Sequence, residues 1–136
     1  MTDAAAKLIN FVNPPELSTP QGYSHIAEIR GGRIIYISGQ VAWDRQGNIV
    51  GKGDFEAQAE QVFRNLAAAL AAVGCTPRHV AKMNVYMLDA HQLPAFRKAR
   101  DKFLAGATPP ASTLVEVPRL ARDDFLIEVE VVAVAP

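Results

Sequence analysis

One cysteine, Cys75, occurs in the 136 residues. No disulfide can close within the chain, and a bridge-free protein of this length fits a reducing compartment. With no motif partner, Cys75 reads as an inert, partly buried thiol. An excess of either charge is missing too: Lys and Arg number 14, Asp and Glu number 14, and the isoelectric point is near 6.8. Broad binding to nucleic acid or to anionic membranes draws on clustered cations, so neither partner is expected. No apolar run approaches the roughly 20 residues of a membrane-spanning helix. The opening MTDAAAKLINFV carries an acid, no basic start and no sustained apolar centre. It does not read as a secretory leader, and a cytoplasmic location is expected. His25, His79 and His91 fall in separate segments without HxH or HExxH spacing, so no metal site is expected. GxGxxG, Walker and GxSxG patterns are absent, which excludes dinucleotide, P-loop and serine-hydrolase readings.

What is present is alternation broken by turn residues, in a chain of a length that suits one domain over 1–136. KLINFV (Lys7 to Val12) predicts a short strand, stopped by the Pro-rich NPPELSTPQG. Gly31 and Gly32, between YSHIAEIR and RIIYISG, predict a hairpin of two antiparallel strands. Turn chemistry from Asp44 to Asn48 predicts one further meander. In DFEAQAEQVFRNLAAALAAVG the apolar residues from Phe55 to Val73 recur at helical spacing, with Asp54 as N-cap and Gly74 as stop. HVAKMNVYMLD reads as a strand whose row Met83, Val85 and Met87 is purely apolar, against a mixed row of Val80, Lys82, Asn84, Tyr86 and Leu88. HQLPAFRKARDKFL predicts a second helix with Leu93, Phe96 and Phe103 on one side and Pro94 in its first turn. Arg97, Lys98, Arg100 and Lys102 spread around the rest. Ala111 to Val117 and Phe125 to Val134 read as closing strands. This order predicts an α+β sandwich, with one mainly antiparallel sheet covered on one face by two helices. The other face mixes Ile, Val and Leu with glutamates, too apolar for water, so it is expected to meet other subunits.

On the last strand Phe125, Ile127, Val129 and Val131 share one face, and Leu126, Glu128, Glu130 and Val132 share the other. The glutamates have two readings: both face solvent, or one sits in a partly dry cleft with a raised pKa and moves protons or positions water. SGQ at Ser38, Gly39 and Gln40 ends a strand. Its glycine allows close approach to the backbone and its serine offers a hydroxyl, though a strand-to-loop turn explains it equally well.

The landmarks GYS, SGQ, the Asn within the first helix, VAKMNVYMLD, the P-A-x-x-x-V-E-V-x-x-L segment and the closing IEVE together resemble the Rid family of YjgF type, from about Tyr23 onward. The resemblance implies a chorismate-mutase-like fold assembled as a homotrimer around a central barrel, with three clefts between subunits. It also implies a cofactor-free hydrolase that turns reactive enamines and imines into 2-oxo acids and ammonia, or else a non-catalytic trimer that binds a small ligand or regulates a partner. A ribonuclease activity ascribed to some relatives finds neither a His pair nor a basic groove here. By resemblance Glu128 orients the water, while Tyr23, Ser38 and Gly39 line the cleft. The chain departs from the family pattern at Ser112, where the family has an arginine that clamps the substrate carboxylate, and at Leu114, where it often has cysteine. The departure at Ser112 removes the ground for expecting the standard 2-iminoacid activity, since a bidentate charge-assisted pair contributes several kcal/mol. Arg97 aligns with a cleft-bordering Asn of the deaminases and is the candidate replacement for a carboxylate ligand. Its alternative is one of four solvated cations on its helix.

Overall fold

A computed structural model describes residues 8–136. Residues 1–7, with the expected strand start at Lys7 and over half of the stretch read for a leader, lie outside them. The elements are β1 (Ile9–Val12), β2 (Ile26–Ile29), β3 (Arg33–Gln40), α1 (Phe55–Ala72), β4 (Val80–Met87), α2 (Leu93–Leu104), β5 (Ala111–Glu116) and β6 (Ile127–Ala135). Four strands form a sheet in the order β3-β6-β4-β5. β6 runs antiparallel to both of its neighbours, and β5 runs parallel to β4, returned by the α2 crossover. Both helices cover one face, as the periodicity predicts.

Residue chemistry accounts for this layering. The Asp54 carboxylate accepts from the Ala57 amide at the start of α1, and Gly74, at φ 74°, ends it as the amide of Cys75 reaches back to the Leu70 carbonyl. The apolar stripe Val62, Phe63, Leu66 and Leu70 then packs on the inward rows of β4 and β6, with Phe96 of α2 completing the core. Full burial of each such side chain contributes about 1.5–3 kcal/mol. Cys75 is buried, and burial pushes its thiol pKa up, which fits the inert reading.

Three expectations need correcting. The Gly31–Gly32 turn does not close a hairpin: β2 pairs with β1, and β3 pairs with β6. Only Gly32 has positive φ, at 86°, whereas the mirror-image turns that match strand twist need it at the first central residue. A Cβ on Gly32 would strike the Ala135 carbonyl, so the second glycine makes room for the end of β6. The expected meander is a single Trp43–Ile49 bridge around an Asp44 turn, whose carboxylate accepts from the Gln46 and Asn48 amides. Val80, expected in the mixed row, is buried because the β4–β6 register shifts between Val80 and Lys82.

The face opposite the helices is partly covered. Ile9 of the β1–β2 ribbon buries Val134 and Ala81 at one end, with Leu8, Phe11 and Ala27 packed around them. The rest carries Ile34, Tyr36 and Val115 exposed, Tyr36 at 81%.

One buried polar side chain joins the layers. Gln58 of α1 has no exposed surface. Its amide nitrogen donates to the carbonyls of Gly51 and Asp124, and its oxygen accepts from the Leu126 amide. All the polar atoms of the Gln58 side chain are satisfied. Gln58→Leu orphans these backbone groups and is expected to lower stability by about 1–3 kcal/mol in urea denaturation; an unchanged midpoint would contradict the tie.

Candidate functional site

The edge strand β5 carries the first half of the site. Its pairing sets Ser112 opposite Met83 and Leu114 opposite Val85, so both side chains point to the helix-covered face. Ahead of β2, Ser24 bridges to Ala111: its amide donates to the Pro110 carbonyl at 2.9 Å and its hydroxyl to the Pro109 carbonyl at 2.6 Å. Proline cannot donate, so these carbonyls act here as acceptors for the incoming strap. The strap holds Tyr23 beside β5. His25 stacks edge-on against Tyr23 and hydrogen-bonds the Ser18 carbonyl at 2.6 Å, closing the intervening loop.

Between that loop, β5 and α2 lies a pocket of about 510 Å³. Hydroxyls of Ser18, Thr19, Tyr23 and Ser112 line it, with Leu93, Phe96 and Leu114 as apolar wall and the guanidinium groups of Arg97 and Arg100 on the helix side. No carboxylate belongs to its lining. The four cations of α2 therefore divide. Lys98 and Lys102 pair with Glu56 and Glu60 of α1, whereas Arg97 and Arg100 face the pocket. Among the described residues Arg97 has no ion pair or hydrogen bond. The other cations considered for this role are engaged elsewhere: Arg119 pairs with Asp123, and Arg122 stacks on Trp43 at 5.2 Å.

The second half lies on the other face. Between Ile37 and Gln40 the β3–β6 register slips, so Ser38 and Gly39 form a bulge opposite Glu130. A Cβ on Gly39 would strike the Glu128 carboxylate, so the missing side chain of SGQ makes room for Glu128 itself. Burial, and next the charge of Glu130, raises the Glu128 pKa above the ordinary carboxylate value. Glu130 accepts from the Tyr86 hydroxyl at 2.6 Å, and that bond holds the Tyr86 phenol pKa up. Glu116 is structural: its carboxylate accepts from the Ala90 amide at the entry to α2.

Of the residues expected to meet, Tyr23, Arg97, Ser112 and Leu114 share the pocket, and Ser38, Gly39 and Glu128 share the bulge. Glu128 pairs with Tyr86, in the row alternating with Met83 and Val85, so the two groups occupy opposite faces of one sheet and do not meet within a chain. Arg100 was missed. Counted among exposed cations, it is 9% exposed, stacked 5.8 Å over Phe96 and packed on Gly22. Its spacing of three from Arg97 on a helix was the available signal.

Comparison with known proteins decides the family. The model of the family described as Endoribonuclease L-PSP matches residues 15–135. A RutC family protein of Synechocystis is 38% identical over 79% of this chain and 83% of its own length. The structure of YyfB of Yersinia pestis, of the Rid protein family, superposes with TM-score 0.89 at 35% identity, covering 93% of this chain and 98% of that one. The chain belongs to the Rid family of YjgF type. A mouse relative of this Rid protein named 2-iminobutanoate/2-iminopropanoate deaminase is 29% identical over 98% of the chain and 95% of its own length. No helix among the described residues is long and apolar enough to cross a membrane.

The position of Glu128 makes a thermodynamic test of its environment. A carboxyl with a raised folded pKa contributes its stability below the ordinary value of 4.5 and loses it as pH rises through the folded value. Glu128→Gln, which cannot ionise, is therefore expected to be more stable than the native chain near pH 7 and to lose that advantage below pH 4.5. Urea denaturation at both pH values checks this, and a variant that is less stable near pH 7 would count against a desolvated carboxylate.

Proposed function

We propose that this Rid protein binds a small anionic enamine or imine in a cleft completed by a second copy of the chain, and hydrolyses it with Glu128. The observation that carries the reading is the division of the site: a pocket holding the unpartnered Arg97, with Arg100 beside it and no carboxylate in its lining, on one face, and a carboxylate of raised pKa on the other. Packing one copy's bulge against the next copy's pocket joins them. The exposed Ile34, Tyr36 and Val115 of the open face favour such self-association, and a closed trimer leaves no unmatched patch.

In the joined cleft Arg97 takes the charge that Ser112 cannot supply, pairing with the substrate carboxylate. Ser112 and Tyr23 offer hydroxyls to the same ligand. Water adds to the C=N carbon and the carbinolamine expels ammonia, leaving the 2-oxo acid. Glu128 takes a proton from the attacking water and returns one to the departing nitrogen. A raised pKa brings a carboxyl closer to the neutral range in which both transfers run. Ser112 favours a second reading, a trimer that binds the ligand without turning it over.

The chain is expected to scatter light as about three times 14.7 kDa; a stable monomer at micromolar concentration would leave both half-sites unjoined. Ammonia release is expected from the native trimer with other enamine or imine substrates and little or none with freshly generated 2-iminopropanoate, since Ser112 replaces the arginine clamp. Glu128→Gln is expected to lose about 100-fold or more of whatever release occurs. Binding with no release from any substrate would establish the second reading. In calorimetric titration with 2-oxo acids, Arg97→Ala is expected to weaken binding at least about tenfold, with Arg122→Ala close to native. Equal affinity in native and Arg97→Ala protein would return Arg97 to the solvated helix face.

A further inference from the structure

Arg100 sets the chemical class of the ligand, given the anion-binding reading above. A guanidinium that is nine-tenths buried is costly to desolvate and normally has its donors occupied. Here Asp101, itself mostly exposed, engages the Nε edge at 3.0 Å, and the Phe96 ring lies beneath the plane. The Nη1 nitrogen has no hydrogen-bond partner among the described residues, and since none of their buried side-chain polar atoms is left unsatisfied, Nη1 is the edge open to solvent.

The chain has also shaped itself around this group. A Cβ on Gly22 would strike the Arg100 guanidinium, and Gly22 has φ 79°. Two independent constraints therefore reserve that position for glycine. Arg97 stands three residues earlier on the same helix face, and like charges at this spacing repel. Arg97 without a partner and Arg100 paired only along the edge that meets Asp101, with no carboxylate in the pocket lining, favour a ligand that brings two negative charges together.

We propose that the pocket takes a small dicarboxylate, with Arg97 and Arg100 each holding one carboxylate, so that the imine processed is one derived from an acidic amino acid. The reaction balances as the simpler case does. Water adds across C=N, ammonia leaves, and the product is a 2-oxo dicarboxylic acid, with no redox partner. A single-carboxylate imine fills one of the two cationic positions and leaves Arg100 with the Asp101 carboxylate alone. Leu93, Phe96 and Leu114 supply the apolar wall that an intervening methylene chain contacts.

The test is calorimetric titration of the assembled native protein with succinate, butyrate and inorganic phosphate at one ionic strength. Succinate is expected to bind at least about tenfold more tightly than butyrate. Arg100→Gln is expected to abolish that preference, weakening succinate at least about tenfold more than butyrate. Asp101→Asn, a change at an exposed residue that frees the Nε edge, is expected to tighten succinate a few-fold and leave butyrate alone. A purely structural Arg100 predicts no preference of about tenfold for succinate over butyrate in the native protein, so that comparison decides the matter even where Arg100→Gln fails to fold. Equal binding of succinate and butyrate overturns the dicarboxylate assignment and leaves the carboxylate pocket standing. Binding of neither overturns the anion-binding reading and the assignment with it. Phosphate binding more tightly than succinate overturns the dicarboxylate class in favour of a compact dianion.

Discussion

The register of β6 is the constraint on which the molecule depends. This strand is held between β3 and β4, and its alternation sends Ile127, Val129 and Val131 under the helices while Glu128 and Glu130 point the other way. A slip of one residue would place two carboxylates in the core and three aliphatic side chains on the open face, reversing every contact at once. The register is pinned at both ends. Gln58 ties the approach to β6 onto α1, and Gly32 makes room for the Ala135 carbonyl at the other end. Between these ends the Ser38–Gly39 bulge absorbs one extra residue, and the space left by the absent Gly39 side chain is where the Glu128 carboxylate rests.

The same alternation separates the chemistry. β5 lies parallel to β4, so Ser112 and Leu114 inherit the helix-covered side of Met83 and Val85, while Glu128 takes the open side with Tyr86. Arg97, Arg100, Ser112 and Leu114 gather on one side of the sheet, and Glu128, Glu130 and the Tyr86 phenol on the other. An anionic ligand held at Arg97 is thereby kept clear of the Glu128 charge of its own chain. Repulsion at close range inside a partly dry site would amount to several kcal/mol at an effective dielectric near 20. In the proposed cleft, joining the halves across an interface would let the ligand's contacts with each be set separately.

Much of this was legible in the residues. The helix caps at Asp54 and Gly74, the apolar row of β4 and the two faces of β6 follow from local chemistry and period, which act over a few residues. The pairing of β2 with β1 was not legible, because the Gly-Gly signal says only that the chain turns, and the competition among partner strands is settled by the long apolar β6. Arg100 was hidden for a related reason. Its burial comes from a loop some eighty residues earlier, fastened by Ser24 to the Pro109 and Pro110 carbonyls, and no helical pattern records that contact. Glu116, Glu128 and Glu130 looked alike as charges among aliphatic residues. They separate once their partners are known: a backbone amide for Glu116, a phenol for Glu130, and a glycine's vacant side-chain position for Glu128.

The central claim is that a working cleft takes its cationic pocket and its carboxylate from different copies of the chain, and subunit mixing tests it most directly. Arg97→Ala and Glu128→Gln chains, each inactive alone, are dissociated, mixed and reassembled. Each mixed trimer holds one cleft in which both halves are native, so the account predicts recovery of up to about a third of native sites, read as ammonia release. Mixed assemblies that regain nothing, while remixed native chains recover fully, would contradict it.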